Sequence, residues 1–367
     1  MQLKNVCLKF STFLCLICCA FSQSNFNNEA YLNKSLNEIT WLTAHNSHLN
    51  VFDNVVLEIA SNQNLSLDKQ LYYGVRGFML DIDLLQCSKL RSLFGSCSCE
   101  GVCLCHGSCS KSHDNIKDGF LVKKLEYALK KFVKFLNKNP NEIITLFLEN
   151  YVADTKILQN VFDRVKHFNQ LVFNPYSPEW DVLRKGWPKI KEMIASNKRI
   201  LIFDDEKKAD HAGKAPGFIR SRDFLLENHF GWHNDFIDVN LSNFKQIKNL
   251  YNSSSIKMEI SRCVSLHRTM GQLNWSENKT LDLNFREHEN SLLNSEKMFL
   301  FHHYYGVSAK SIFIDSLTVK LMNTPEFVNE RLKRRCNPGI NGKKPNYIAL
   351  DFINENTYKD LILPFNI

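Results

Sequence analysis

The sequence lacks an apolar run long enough to cross a lipid bilayer. Its longest run, Phe10 to Phe21, has about a dozen residues, whereas a membrane-spanning helix needs about 20. Lys4 and Lys9 precede this run, and Ala20-Phe21-Ser22 provides small residues where a signal peptidase cleaves. We therefore predict that residues 1–22 are a signal peptide. The protein is then expected to be secreted to the extracellular space, with the endolysosomal lumen as the alternative destination.

Glycine and proline are scarce, with 14 and 9 residues in a chain of 367. No segment rich in Gly, Ser or Pro divides the chain, and no internal repeat is present. Barrels of alternating strands and helices often exceed the usual domain size. We therefore predict one domain over residues 23–367.

The sequence also lacks a nucleic-acid-binding pattern. The formal net charge is +8, and removal of the signal peptide would leave +6, a modest excess that suits anionic lipid surfaces or phosphate-bearing substrates. Basic runs such as Lys130-Lys131 and Arg331 to Arg335 fit solvated helix faces, and none is interleaved with aromatic residues. We expect no nucleic-acid partner, and the sequence does not predict an oligomeric state.

The cysteines favour an oxidising compartment. Four of the twelve lie in the predicted signal peptide, and the remaining eight are an even number suited to disulfides. Six of these lie between Cys87 and Cys109, and Cys263 and Cys336 form a candidate further pair. A zinc site is the alternative for the cluster, but it lacks the usual Cys-x-x-Cys spacing. We predict a disulfide-rich insert.

Acceptor sites for N-glycosylation are frequent, which predicts a glycoprotein in a eukaryotic host. The six Asn-x-Ser/Thr sites are at Asn33, Asn64, Asn240, Asn252, Asn274 and Asn278. Four of them are crowded between Asn240 and Thr280, which predicts an exposed insertion there.

Seven short apolar runs predict buried strands of an α/β fold. Runs that are apolar almost throughout are typical of parallel strands covered on both faces. The runs are Glu38 to Ser47, Gly74 to Asp83, Val102 to His106, Ile143 to Glu149, Ile200 to Asp204, Met298 to Tyr304 and Asn346 to Phe352. The periodicity predicts an amphipathic helix from Leu121 to Asn139, and an eighth strand is expected near Phe236 to Val239.

Polar residues with catalytic chemistry stand at the ends of these runs. His45, Asp81, His106 and Glu149 each follow or close an apolar run. The carboxyl ends of barrel strands converge on one face, where active sites lie. We therefore expect these side chains to meet.

These segments resemble the X domain of phosphatidylinositol-specific phospholipases C, in particular secreted members of that superfamily from plants and fungi. The resemblance covers residues 38 to 353 and is strongest before residue 205. It is carried by Gln70 to Asp81, Leu104 to Gly107, Asn139 to Leu146, Leu148 to Val152, Trp187 to Phe203 and Pro345 to Phe352. It implies a TIM-barrel-like (β/α) barrel, with distortion and a disulfide-rich insert, and a secreted phosphodiesterase activity.

The resemblance implies two catalytic histidines. Cleavage of a phosphodiester by a neighbouring hydroxyl needs a base, an acid and positive charge for the phosphoryl oxygens. His45 and His106 match the family's catalytic positions, and Asp351 at the end of the last strand is expected to orient His45. His302, His303 and Tyr304 are expected to line the pocket.

The resemblance also implies a divalent cation, Ca²⁺ or alternatively Mg²⁺. Asn46, Asp81 and Glu149 match three ligand positions of calcium-dependent members. Where those enzymes have an acid two residues before the aspartate, this chain has Met79, so one ligand is missing. Calcium-independent bacterial members have an arginine where this chain has Asp81, which favours a metal.

Two further residues are candidate contacts of the substrate phosphate. Asp83 shares a strand face with Asp81 and could compensate for the missing ligand. Arg76 has two interpretations: an ion pair with Asp81 or Glu149 inside the barrel, which we favour, or a contact with the phosphate.

Two classes of function remain open. One is a secreted hydrolase of phospholipids or soluble phosphodiesters, with transient contact to a membrane surface. The other is a catalytically weakened lipid- or glycan-binding protein on the same scaffold, favoured by Met79. A glycerophosphodiester phosphodiesterase or phospholipase D-like toxin ranks lower, because paired acids would be expected at Met79 and Asp81.

Overall fold

The computed structural model describes residues 29–53, 61–86, 99–106, 123–205, 208–212, 214, 217–227, 296–304, 323–332 and 343–367. The predicted signal peptide, the predicted strand near Phe236 to Val239 and the pair Cys263 and Cys336 lie outside these residues. None of the described helices is long and apolar enough to span a membrane.

Within the described residues the core is a curled sheet of eight parallel strands, supplemented by one antiparallel strand. In chain order the strands are β1 (Trp41–Ala44), β2 (Val75–Leu85), β3 (Gly101–Cys105), β4 (Ile144–Asn150), β5 (Ile200–Asp204), β6 (Phe218–Arg220), β7 (Leu225–Glu227), β8 (Met298–His302) and β9 (Tyr347–Leu350). The spatial order is β6-β5-β4-β2-β1-β9-β8-β7, and β3 pairs only with β2. The predicted α/β barrel is confirmed as a distorted TIM barrel.

Ten helices of the described residues pack around the sheet, some against its outer face and some against the interior cluster at the end of the barrel. They are α1 (Glu29–Leu32), α2 (Leu67–Tyr72), α3 (Leu125–Lys138), α4 (Thr155–Arg164), α5 (Phe168–Leu171), α6 (Val182–Lys185), α7 (Ile190–Ala195), α8 (Ser221–Phe224), α9 (Pro325–Arg331) and α10 (Leu363–Asn366). The predicted helix is found as α3, which buries Leu125, Ala128 and Phe132 at helical spacing and ends before Asn139-Pro140. A single helical turn, α8, joins β6 to β7 at the two ends of the strand order.

Side-chain alternation separates two apolar layers. Phe78, Leu80 and Ile82 of β2 join the cluster under the helices, whereas Met79 joins the cluster inside the barrel. Because successive strand residues face opposite sides, Asp81 follows Met79 toward the mouth of the barrel. The apolar interior thus ends in a layer of polar side chains.

The structure corrects the sequence interpretation of the third predicted strand. Residues from Val102 onward were expected to form a parallel barrel strand, but β3 runs antiparallel to the second half of β2. An apolar run carries no information on strand direction, and a β-hairpin needs only a connection between the two strands. The sequence also gave no sign of β6 and β7, because three residues are too few to show a period.

Gly77 permits the close approach of β1 and β2. It is the register partner of Thr43, and a Cβ added at Gly77 would come within 2.8 Å of Thr43 Cγ2. Real side chains do not pack that closely, so any larger residue would push the two strands apart.

We expect Gly77→Ala to lower the free energy of unfolding by about 1–3 kcal/mol, the usual cost of overpacking. Urea unfolding of both proteins measures the difference. In the control Thr43→Ala/Gly77→Ala, the removed hydroxyl and methyl provide room, so the double variant should lose less stability than the sum of the single variants. Additive losses would contradict the steric explanation.

Candidate active site

His45 and Asp351 meet where β1 and β9 end side by side. The two strands pair in parallel from Trp41 with Tyr347 to Ala44 with Leu350, and the His45 amide donates to the Leu350 carbonyl at 3.0 Å. His45 Nδ1 lies 2.8 Å from Oδ1 of the fully buried Asp351. A carboxylate at this position accepts a hydrogen bond from Nδ1–H and so fixes the tautomer in which Nε2 is free to exchange a proton with a substrate.

Asn62 and Gln63 donate hydrogen bonds that fix the position of this pair, a role that sequence reasoning missed. Asn62 Nδ2 donates to Asp351 Oδ1 at 3.1 Å, and Gln63 Nε2 donates to the carbonyls of His45 and Leu350 at 2.8 and 2.9 Å. Both side chains are buried. The sequence offered only a polar loop before α2, which is equally typical of a surface turn.

Tyr304 covers one face of the His45 imidazole. The ring centroids are 3.5 Å apart and the ring planes differ by 4°. Tyr304 also meets the ring of His302 edge-on, and His302 Nε2 lies 2.9 Å from Glu227 Oε2. The stack limits rotation of the His45 ring and leaves its edge as the route for a substrate.

The three residues at the end of β8 do not share one role. His302 and Tyr304 lie on the interior side, as alternation along a strand requires. His303 is buried against Phe301 and Phe327 instead. The expectation that His303 lines the pocket is therefore wrong.

His106 reaches the mouth from the end of β3. Cys105 is the register partner of Asp81, so His106 emerges beside the mouth and is exposed to solvent. Desolvation by neighbouring groups lowers the pKa of His106, and positive charge on His45 lowers it further, while Glu149 and Asp351 raise it. Asp81 pairs in register with both Cys105 and Glu149, so His106, the residue after Cys105, lies beside these carboxylates.

His48 supports the end of β3 from inside. Its Nε2 donates to the Cys105 carbonyl, and its side chain is fully buried. Burial lowers the pKa of His48 to about 3. The ring is therefore neutral at physiological pH and acts as a fixed donor.

Three oxygen-bearing side chains lie at adjacent strand ends. Asp81 and Glu149 are register partners on β2 and β4, and Asp81 is buried. Tyr151 donates its hydroxyl to Glu149 Oε1, and burial raises the pKa of Tyr151, so the phenol keeps its proton. Asn46 has a φ of 43° and donates Nδ2 to Asn62 Oδ1 at 3.3 Å, which leaves its Oδ1 for another partner.

This donor set fits a hard divalent cation, although it is small. Amide and carboxylate oxygens are the ligands of Ca²⁺ and Mg²⁺. Among the residues that the structure describes, no group of three or more His, Cys, Asp or Glu side chains could hold a metal. Met79 packs in the apolar interior next to its register partner Phe147 and adds no ligand.

The position of Arg76 corrects both sequence interpretations. Arg76 lies near the start of β2, five residues before Asp81, which on an extended strand is about 16 Å away. Its Nε donates to Glu142 Oε2 at 2.7 Å, and Nη1 donates to the Leu71 and Val75 carbonyls at 2.8 Å. The guanidinium is buried at the opposite end of the barrel and reaches neither the mouth carboxylates nor a substrate there.

Asp83 stays within the hairpin of β2 and β3. It is buried opposite Cys103, and its Oδ1 accepts the Leu84 amide at 2.8 Å. It follows Asp81 on the same face of β2, further along toward the mouth.

The insert contains disulfides, as the sequence predicts. Cys99 is bonded to Cys103, and Cys105 is also in a disulfide. Cys87, Cys97 and Cys109 lie outside the described residues. Two cysteines of the strand that precedes His106 are therefore covalently bonded.

A protein family and several known proteins are similar in sequence to parts of this chain. Residues 31–260 match the model of the PI-PLC X family. A PI-PLC X domain-containing protein of Arabidopsis thaliana is 30% identical over 207 residues, 53% of this chain and 41% of that protein. An uncharacterized secreted protein of Arthroderma benhamiae is 29% identical over 198 residues, 54% of this chain and 38% of that protein. The chain thus covers less than half the length of these relatives.

Solved structures of phospholipases C show a more distant likeness. Phosphatidylinositol-specific phospholipase C from Listeria monocytogenes gives a TM-score of 0.49 at 14% identity, over 92% of this chain and 96% of that one. A calcium-dependent phosphoinositol-specific phospholipase C from Pseudomonas sp. gives 0.32 at 17% identity, over 50% and 62% of the two chains. Because the family model matches more than half of the chain, the resemblance seen in the sequence is confirmed, and the chain belongs to the PI-PLC X family.

Proposed function

We propose that this protein is a secreted phosphoric diester hydrolase that cleaves a phospholipid or a soluble phosphodiester by a phospholipase C-like mechanism. The observation that carries the proposal is the His45–Asp351 pair, which shares the mouth of the barrel with His106. A base with an orienting carboxylate and a second histidine as acid are the groups that this reaction needs.

The proton transfers follow from this arrangement. A hydroxyl oxygen attacks phosphorus, and its proton passes to His45 Nε2, while the ionised Asp351 accepts a hydrogen bond from Nδ1–H and stabilises the imidazolium that forms. The bond from phosphorus to the leaving oxygen breaks, and His106 gives its proton to that oxygen. If the attacking hydroxyl belongs to an inositol ring, the product is a cyclic phosphate.

A divalent cation would be held by Asn46, Asp81 and Glu149. When bound, it supplies positive charge to the phosphoryl oxygens. The carboxylates themselves would repel a phosphodiester, so the same side chains that hold the metal disfavour the substrate without it. Ca²⁺ is the preferred ion of this proposal and Mg²⁺ the alternative.

Contact with a membrane surface fits the loop that follows β1. Phe52 is 66% exposed and Val51 is also exposed, and both lie shortly after His45 in the chain. Exposed apolar side chains near a mouth can enter the interface of a bilayer and bring its phosphodiesters into reach. This supports a phospholipid as the substrate over a soluble diester.

The second candidate function is a lipid- or glycan-binding protein with weakened catalysis. Met79 favours it, because the apolar side chain stands where calcium-dependent members have an acid. The hydrogen bond between His45 and Asp351 favours the enzyme, since a binding protein has no need of an oriented base. Turnover of a phosphodiester panel by the purified protein distinguishes the two.

We expect His45→Ala and His106→Ala each to lower kcat by about 10²–10⁴, because each residue supplies one proton transfer. Asp351→Asn should lower kcat by about 10² or more, since an amide no longer selects the tautomer with the proton on Nδ1. Release of head group or phosphate from phosphatidylinositol and glycerophosphodiesters measures the rates.

The matched control is His167→Asn, an exposed histidine with a φ of 68°, a backbone conformation that asparagine tolerates. It should keep the parental rate. Circular dichroism checks that each variant is folded, and near-parental turnover in a folded His45 or His106 variant would remove that residue from the mechanism.

Metal dependence should be present but weak, because three protein oxygens leave most ligand positions to water and substrate. Calorimetric titration with Ca²⁺ and Mg²⁺ should show tighter binding for Met79→Glu and weaker binding for Asp81→Asn, with Met79→Gln as the uncharged control. Full activity in excess chelator, together with no binding heat, would disprove the metal role.

A further inference from the structure

A basic cleft lies between α3 and the end of α4, on the outer side of the barrel. Its volume is about 440 Å³, and its floor includes the buried side chains of Val133 and Val165. Around this floor stand five cations, which are Lys130, Lys134, Lys138, Arg164 and Lys166. Among the residues that the structure describes, none that lines the cleft is acidic.

The lysines of this cleft are not neutralised by any residue that the structure describes. None of the four makes a hydrogen bond or ion pair with a residue that the structure describes, and all four are exposed. Arg164 is paired with Glu126 at 2.6 Å, and that pair uses its Nε and Nη2. The neighbouring Asp163 is engaged by Gln159 and Asn169. The cleft therefore has an uncompensated positive charge.

The cations form an extended row. Lys130, Lys134 and Lys138 are four residues apart on α3, so they lie on one face over about 12 Å of helix axis. Arg164 and Lys166 face them from the end of α4. A row of this length suits a ligand with repeating anionic groups better than a single anion.

The cleft is remote from the catalytic mouth. α3 ends at Lys138, shortly before β4 begins at Ile144, and α4 ends at Arg164 after running back from the carboxyl end of β4. The cations thus lie toward the amino-terminal ends of the strands. A membrane that contacted this side would not present lipid to His45 and His106.

We propose that this cleft binds a sulfated polysaccharide chain. Sulfate groups stay ionised at all physiological pH values, and their spacing along a polymer matches a row of lysines that attract through point charges. The two valines and the aliphatic lysine stems offer an apolar surface for the carbon faces of sugar rings. No aromatic side chain lines the cleft, so it lacks the stacking platform of a single-stranded nucleic-acid site. The site is independent of the proposed catalytic function.

Binding to immobilised heparin tests this proposal with the full-length secreted protein. At physiological ionic strength, with a Debye length of about 8 Å, only cations near the chain contribute strongly. Lys134→Gln/Lys138→Gln should weaken binding roughly five- to tenfold. The control Lys156→Gln/Lys359→Gln removes the same net charge from exposed lysines outside the cleft, and should change the affinity by less than about twofold.

The chemical controls separate the sulfate group from other anions. Desulfated heparin should bind much more weakly than heparin, and neither duplex DNA nor vesicles containing phosphatidylserine should show a comparable loss in the Lys134/Lys138 double variant. Equal weakening by the two double variants would overturn the site. Undiminished binding of desulfated heparin, or cleft-dependent binding of DNA or vesicles stronger than that of heparin, would overturn the assignment of the ligand.

Discussion

The parallel pairing of β1 with β9 is the constraint on which the proposed catalytic site depends. It joins two segments about 300 residues apart in the chain and brings His45 beside Asp351. Each strand has only four residues, so a few backbone hydrogen bonds set the position of the base. Gln63 reinforces the junction by donating to one carbonyl on each strand, and in a buried environment such bonds are strong and costly to leave unmade. The orientation of His45 is therefore a property of the closed sheet and not of a local loop.

Along the barrel axis, the buried ion pair that stabilises the fold lies at one end and the polar groups of the proposed site lie at the other. Near the amino-terminal ends the buried charge is paired, with Arg76 and Glu142 in a hydrogen-bonded ion pair. The middle is apolar, and the carboxyl ends have acids, amides and histidines in close proximity. A buried charge without a partner is expensive, so a concentration of carboxylates at the mouth is stable only with compensating donors such as Tyr151 or a bound cation. The carboxylates at the mouth are therefore the part of the interior whose presence stability alone does not explain.

The sequence predicted the parts of this architecture that follow from short-range patterns. The run from Ile200 to Asp204 is the strand β5, and the helical period before Pro140 is α3. Three features depended on contacts between distant residues and could not be read from the pattern. The direction of β3 is set by its pairing with β2, the partner of Arg76 is Glu142 just before β4, and Asn62 donates to the distant Asp351. A polar loop or a lone arginine has the same appearance in sequence whether it lies on the surface or supports a site.

The attachment of His106 to a disulfide-linked strand has a consequence for where the protein can work. The base is positioned by backbone hydrogen bonds of the barrel, which form in any compartment. His106, the proposed acid, follows Cys105, which is covalently bonded, and β3 is attached to the barrel by its pairing with β2 and by the His48 contact. The disulfide at Cys105 adds a covalent constraint one residue before His106. Under the proposed function, this part of the site is therefore complete only in an oxidising compartment, where the disulfide can form.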